Sequence, residues 1–585
     1  MPTGWSYGVV TVANAHGTVV RAAPGPKLGR VPDTIPAMTA DDVPRDPLDR
    51  FRWHPEPELI GIRDAAASRD ALERVGQATW SASLDWLYDR AMVRAMGMPT
   101  GFEELREAYF GAARGPGPAP REPRALEGVL DDFRTRIAPH TLNSYHPRSL
   151  SYFTPPPLVA SIVGEVLAQW TNQGIDVWHA GPVGAFVEEE VVRWLCDLVG
   201  YGEGSFGLLA SGGVMANFIA MALVRDIHLP ALSGASRPPR GAALEGIRVY
   251  TGDQTHFSIA RALDELGFPP ESLVVLPTDD RFRLHAEPVA GAVAADRERG
   301  LQPVAVCAVA GSTNTGSVDR IEELGALAHA EGLWFHVDAA YGGAARLSER
   351  DAARVPGLHL ADSVTVDPHK WFFQAYDVGA LLVRRGGDLR QTFDRSPEYY
   401  RGGEGPIGEA QVGEAQVGET PTGEPAGEGD AGHHDDEHAG QLNFYKLGFE
   451  GTRRFRALKL WTTWHHLGTG GLGRLIELND DVAAYLAARC AEADDLEALP
   501  AEPELSVVCF RHLPAGAATA GAMPRGELDA HQDRLAAALE ASGDGWLSTT
   551  SLRGATWLRA GIVNYLTTEG DIDRLLATLR HLAAE

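Results

Sequence analysis

The sequence predicts an α/β protein built around a mostly parallel central sheet, and three observations carry that expectation. Short β-branched runs alternate with helical patterns through the middle of the chain, the signature of a parallel sheet covered by helices on both faces. Lys370, in Asp367-Pro368-His369-Lys370-Trp371, directly follows the apolar run 362–366. Asp338, in His336-Val337-Asp338-Ala339-Ala340-Tyr341-Gly342-Gly343, closes another such run 32 residues upstream. Side chains at the carboxyl ends of neighbouring parallel strands converge on one rim of the sheet.

Residues 1–45 mix Gly, Pro and scattered apolar residues without a sustained period and read as a poorly ordered tail. Residues 46–158 read as an N-terminal helical segment. Within it Leu72, Val75, Trp80, Leu84, Leu87 and Met92 recur at helical spacing, a Gly/Pro-rich linker spans 111–123, and an amphipathic helix covers 126–137. Residues 159–455 read as the large α/β domain. Helices are expected at 188–199, 212–226 and 257–266, and strands at 205–209, 248–251, 304–310, 333–337 and 363–366. Residues 456–585 read as a smaller α+β domain. A helix at 455–466 leads into it, strands follow at 505–510 and 556–561, and a helix at 571–581 ends it.

With 585 residues, 44% of them hydrophobic, the chain can bury more than one core. A net charge of −27 leaves no basic face for nucleic acid. Ten acidic residues and no Lys or Arg fall within 402–440, which also holds Gly-Glu-Ala-Gln-Val twice, at 408–412 and 413–417. Such a composition builds no core, so this stretch reads as an acidic insertion, with the His433 to His438 cluster part of that tract and not a metal site. Cys196, Cys307, Cys490 and Cys509 form no CxxC pair and read as free thiols of a reducing compartment. Residues 1–21 lack a secretory pattern, and no run approaches the roughly 18 apolar residues of a membrane span. The expectation is a cytoplasmic protein without membrane or nucleic-acid partners.

A strand-end lysine paired with a strand-end carboxylate is what pyridoxal 5'-phosphate (PLP) requires: an amine to hold the cofactor covalently and an anion to keep its ring nitrogen protonated. Its phosphate needs backbone donors at a helix N-terminus. Ser211-Gly212-Gly213-Val214 opens a helix, although alone it is an ordinary loop-to-helix junction. His256, in Asp253-Gln254-Thr255-His256-Phe257-Ser258, offers a flat ring at another strand end; alone it reads as a cap or surface residue. Thr313, in Gly311-Ser312-Thr313, alone reads as turn chemistry. The PLP reading rests on all five strand ends together.

On these residues the chain, from about Arg69 onward, resembles the group II PLP-dependent decarboxylases, the aromatic-L-amino-acid and glutamate decarboxylase family of the aspartate aminotransferase fold (fold type I). The resemblance is carried by the segments at 336–343 and 362–371, supported by 253–258 and by Arg-Phe-Arg-Ala-Leu-Lys-Leu-Trp at 454–461. It implies that Lys370 bears the cofactor, Asp338 meets the ring nitrogen, and His256 and Ala340 cover opposite ring faces. His369 and the turn from Ser211 to Val214 would serve the phosphate, and Thr313 would lie beside the ring. It further implies a homodimer with active sites at the subunit interface, and decarboxylation of an L-amino acid to the amine. Tyr399 matches the loop tyrosine that supplies the proton in this family, and Tyr400 offers a neighbouring hydroxyl. Tyr152 and Phe153 match the segment lining the side-chain pocket, with Trp178 expected from the partner subunit. An aromatic substrate is the expectation, because an acidic one calls for an arginine and 145–180 offers only Arg148. The alternatives are an acidic or diamino substrate, a PLP lyase, an aldehyde-forming oxidative decarboxylase, and an idle PLP-binding scaffold. Two departures stand out: Val214 replaces the usual serine of the phosphate turn, and the acidic insertion begins three residues after Tyr399.

Overall fold

The computed structural model describes residues 65–88, 101–111, 115–121, 124–395, 442–514 and 523–585. The tail 1–45, Tyr399, Tyr400 and the acidic tract 402–440 lie outside the described residues. The chain divides into a unit of residues 1–77, described only as helix from Ala65 onward, and a unit of residues 78–585 that contains both sheets.

The main sheet has seven strands: β1 (Phe206–Ala210), β2 (Ile247–Gly252), β3 (Leu273–Leu276), β4 (Gln302–Val309), β5 (Trp334–Asp338), β6 (Ser363–Val366) and β7 (Gly379–Val383). Their spatial order is β1-β7-β6-β5-β4-β2-β3. The pairs from β3 through β2, β4 and β5 to β6 are parallel, whereas β7 runs antiparallel to both β6 and β1. β7 is therefore the one reversed strand, and the sheet is mostly parallel as the alternation of patterns implies. Every residue of β5 and β6 is buried, the continuous burial that a sheet covered on both faces imposes. β3 and β7 were not anticipated. β3 is a four-residue, partly exposed edge strand, too short for a period to register.

The helix Gly213–Leu223 continues through 224–228 into Leu229–Ser233. Contrary to the sequence expectation, this run is long and apolar enough to cross a membrane by composition. Its apolarity is that of a core helix: Ala216 and the residues from Ile219 to Val224 are buried, and it packs on β6, β7 and the helix Ser258–Glu265.

A second, antiparallel sheet contains β8 (Leu496–Ala498), β9 (Val507–His512), β10 (Ser548–Leu552) and β11 (Ala555–Gly561), in the order β10-β11-β9-β8. The helix expected at 455–466 extends over Ala457–Ala491, interrupted at Gly468, whose φ of 65° an L side chain rarely adopts. Its first part buries Leu460, Leu472 and Ile476 in the main core, and its last part buries Val482, Leu486 and Cys490 in the core of the second sheet. One helix thus belongs to both cores.

A buried ion pair pins β1. Glu188 accepts the Leu209 N–H (3.0 Å) and pairs with the Arg453 guanidinium, which also donates to the Ile175 carbonyl (3.0 Å). Gly379, at the start of β7, shows how closely this rim is packed. A Cβ there would stand 2.5 Å from the Gly212 Cα and 2.6 Å from Asp367 Oδ1. Gly379→Ala is therefore expected to destabilise the fold by ~1–3 kcal/mol, measurable as a lowered Tm.

Candidate active site

The carboxyl ends of β1, β2, β4, β5 and β6 open on one cavity of about 370 Å³. Ser211, Gly212, Gly213, Val214, His256, Thr313, Asp338, Ala340, His369 and Lys370 all line it, so the strand-end groups singled out in the sequence meet in one place. A separate cleft of about 410 Å³ is lined by ions that pair with one another, among them Arg283 and Glu504 at 3.4 Å, and contains none of these groups.

Lys370 follows β6 through the turn Asp367-Pro368-His369, and its Nζ lies 3.0 Å from Asp367 Oδ2. Burial works against the ammonium, but the carboxylates of Asp367 and Asp338 outweigh it and hold the Lys370 pKa above the ordinary lysine value. Asp338, the last residue of β5, is buried and accepts only from neutral donors: the Ala340 N–H at 3.1 Å and Asn217 Nδ2 at 2.8 Å. A carboxylate so held retains lone pairs for a further donor.

His256 stands half-buried at the mouth, its Nδ1 2.9 Å from Ser258 Oγ. Burial lowers its pKa and favours the neutral ring, against the opposing pull of Asp338. His369 donates from Nδ1 to the Val378 carbonyl (2.6 Å) and is likewise shifted down by burial. Its Nε2 lies 3.9 Å from Asp367 Oδ2, and an anion in the adjacent turn would further favour protonation there. No side chain caps the helix that begins at Gly213, so by helix geometry its first N–H groups are available to an anion. Val214 contributes no hydroxyl, which leaves backbone donors and Ser211. A Cβ at Gly213 would stand 2.8 Å from Asp367 Oδ2, so the floor of this cradle admits only glycine without rearrangement. The donor set, the glycine cradle and the lysine fit PLP.

The expected pocket residues are placed elsewhere. Tyr152 is exposed, with a φ of 56°, and packs edge-on against Trp546. Phe153 is buried in a stack on Tyr341 at 4.2 Å between centroids, and it is Tyr341 that reaches the cavity. Trp178 packs edge-on against Phe186. None of the three lines the cavity within this chain. Arg148 is occupied by Asp544 and Asp571.

Sequence reasoning missed Asn217, Asp367 and Arg559. Asn217 is the one polar side chain in the helix Gly213–Leu223, a signal that could have found it. Arg559, on β11, donates from Nε to the Thr313 carbonyl (2.8 Å) and lies 4.6 Å from the Phe153 ring centroid. Its Nη2 is buried without a partner.

Comparison with known proteins gives the family and the fold. The model described as "Pyridoxal-dependent decarboxylase conserved domain" matches residues 112–411 and 432–513. The chain is 32% identical to an aromatic-L-amino-acid decarboxylase of Bacillus atrophaeus, over 75% of this chain and 82% of that protein. It is 27% identical to an L-2,4-diaminobutyrate decarboxylase of Acinetobacter baumannii, over 88% of this chain and 93% of that one. The fold matches the crystal structure of Oryza sativa TDC with PLP and tryptamine at a TM-score of 0.74 and 21% identity, covering 88% of this chain and 98% of that chain.

Asp367→Asn is expected to remove the nearest anion from Lys370 and so lower its pKa. In the cofactor-free chain, capture of an aldehyde reagent by Lys370 should then reach its plateau at lower pH, as read by mass spectrometry across a pH series.

Proposed function

We propose that this chain, which belongs to the pyridoxal-dependent decarboxylase family and is a PLP-dependent amino-acid decarboxylase of fold type I, acts on an aromatic L-amino acid. The observation that carries the substrate reading is the cavity lining. Among the described residues it includes Phe257 and Tyr341 but no arginine, and its charged groups are Asp338, Asp367 and Lys370. Two carboxylates repel an acidic side chain, whereas rings and apolar groups suit an aromatic one.

PLP, when bound, supplies an aldehyde for the substrate amine and an electron-withdrawing ring that takes up the electron pair left by departing CO2. Lys370 would hold the cofactor through its ε-amine. Asp338 would keep a proton at the ring nitrogen, and His256 and Ala340 would flank the ring. His369 and the turn from Ser211 to Val214 would hold the phosphate, and Thr313 would lie beside the ring. Tyr399, with Tyr400 beside it, is read as the donor of the proton that replaces CO2 at the α-carbon.

A second reading, an acidic substrate, is favoured by one observation. Arg559 keeps an unpartnered Nη2 directly behind Thr313 and could meet a carboxylate if Thr313 moved aside. CO2 release measured across aromatic, diamino and acidic amino acids separates the two. The aromatic reading expects the highest kcat/KM on aromatic substrates and little change in Arg559→Met. The highest kcat/KM on an acidic amino acid, lost in Arg559→Met, would establish the second reading instead.

Tyr399→Phe is expected to bind substrate normally while amine formation falls ~10²–10⁴-fold, the usual worth of a positioned acid. Amine production at the unsubstituted rate would remove Tyr399 from the reaction and direct attention to Tyr400.

We also read the protein as a cytoplasmic homodimer. The helix Val159–Thr171 turns Val159, Val163, Val166 and Trp170 to solvent, while small residues, Ser161, Gly164 and Ala168, face inward. An apolar stripe at helical spacing on the outside is an unpartnered interface. The four cysteines are buried free thiols, in keeping with a reducing compartment. Val163→Glu combined with Val166→Glu is expected to shift sedimentation toward monomer and to lower activity with it.

A further inference from the structure

Behind Asp338 lies a chain of buried polar groups that the reading above does not use. Trp334 Nε1–H donates to Ser363 Oγ (2.9 Å), and Ser363 Oγ lies 2.9 Å from His336 Nδ1. His336 Nε2 lies 3.0 Å from Asn217 Oδ1, which also receives the Thr365 hydroxyl at 2.6 Å. Asn217 Nδ2 donates to Asp338 Oδ2 and to Ser258 Oγ, both at 2.8 Å, and Ser258 Oγ lies 2.9 Å from His256 Nδ1. Asn217, Ser258, His336, Ser363 and Thr365 are all at most 1% exposed.

One arrangement of protons satisfies every pair. An ionised Asp338 only accepts, so Asn217 must turn its Nδ2 toward it and its Oδ1 toward His336 and Thr365. His336 then carries its proton on Nε2 and accepts at Nδ1 from the Ser363 hydroxyl, whose oxygen takes the Trp334 N–H. Burial drives the His336 pKa down to about 4, against the pull of Asp338, so the ring is neutral and adds no cation beside Asp338. At the other branch the Ser258 N–H donates to His256 Nδ1 (3.4 Å), which makes that nitrogen an acceptor; Ser258 Oγ receives from Asn217 and gives its own proton to the same Nδ1, which leaves the His256 proton on Nε2. All four hydrogen-bonding positions of one amide are used, and flipping it would set its oxygen against the Asp338 carboxylate.

We propose that Asn217 is a positioning residue that, from a single amide, orients Asp338 as the ionised partner of the cofactor ring and sets His256 as its Nε2–H tautomer. The inference rests on the reading that Asp338 meets the ring nitrogen. Asn217 borders the cavity, but its amide is taken up by Asp338, Ser258, His336 and Thr365, so it acts through Asp338 and, by way of Ser258, through His256. Thr365 and His336 hold the amide in its one productive orientation.

The test compares the unsubstituted chain with Asn217→Asp, Thr365→Val and Asp338→Asn. Each protein is stripped of cofactor, its Tm is measured, and PLP is titrated back while the absorbance of the bound cofactor is followed across pH. Asn217→Asp keeps the side-chain shape and the acceptor toward His336 but sets a second acceptor against Asp338. It is expected to weaken PLP by about tenfold or more, the worth of one hydrogen bond to a charged group, and to displace the pH at which the bound absorbance changes. Asp338→Asn should show the same two effects. Thr365→Val should show them in smaller measure, about threefold in affinity, with the Tm of the cofactor-free chain lowered by a few degrees at most. If Asp338→Asn changes neither readout, the premise about Asp338 fails and the proposal falls with it. If Asp338→Asn changes both and Asn217→Asp changes neither, the premise stands and the role of Asn217 is overturned. Should Asn217→Asp fail to fold, Thr365→Val decides. Altered affinity and titration support the proposal, and unchanged values, whatever the Tm, reduce the amide to a contact of the fold.

Discussion

The carboxylate of Asp338 stands at the end of a strand that is buried along its whole length. Removing a charge from water is costly unless donors replace the lost hydration. Here the replacement is made by neutral groups, the Ala340 N–H and the Asn217 amide, so the charge is solvated without being cancelled. The uncancelled charge acts on its surroundings. Together with Asp367 it keeps Lys370 an ammonium where burial alone would favour the free amine. The lysine is thereby held toward the cavity by the same field that makes the site receptive to a cationic ring. The parallel sheet brings this about by ending neighbouring strands, β5 and β6, at one rim.

Much of this was legible in the sequence because strand ends are marked by motif and period together. Asp338 and Lys370 each follow a run of buried residues, and the turn at Ser211 opens a helix, so local pattern placed them on one rim without any knowledge of contacts. What stayed illegible depends on contacts between distant segments. β7 reverses direction inside the sheet, and nothing in Gly-Ala-Leu-Leu-Val distinguishes an antiparallel strand from a parallel one. Phe153, two residues before a proline, reads equally as pocket wall or as core, and stacking on Tyr341 makes it core. Arg559 lies more than 240 residues from Thr313 in the chain, and only the placement of the second sheet brings the two together.

The second sheet also bears on substrate choice. Phe153 is held between Tyr341 on one side and the Arg559 guanidinium on the other, so a cation and a ring already satisfy each other within reach of the cavity wall. An arginine engaged with an aromatic face is partly reserved. A carboxylate reaching the unpartnered Nη2 would meet a guanidinium already held by that ring and, through Nε, by the Thr313 carbonyl. The same chain of contacts couples the wall to the Ala457–Ala491 helix through Trp371, which stacks on Tyr341 and donates to Asn479.

The Glu188–Arg453 pair also bears on where this chain can vary in length. It ties β1 to Arg453, and Phe444 is fully buried in the same segment. Earlier in the chain, the helix Gly387–Phe393 buries Leu389. The paired Gly-Glu-Ala-Gln-Val units at 408–417 therefore fall, in sequence, between two segments that are each anchored by contacts of their own. Residues can be added between two such anchors while the contacts that fix β1 stay the same.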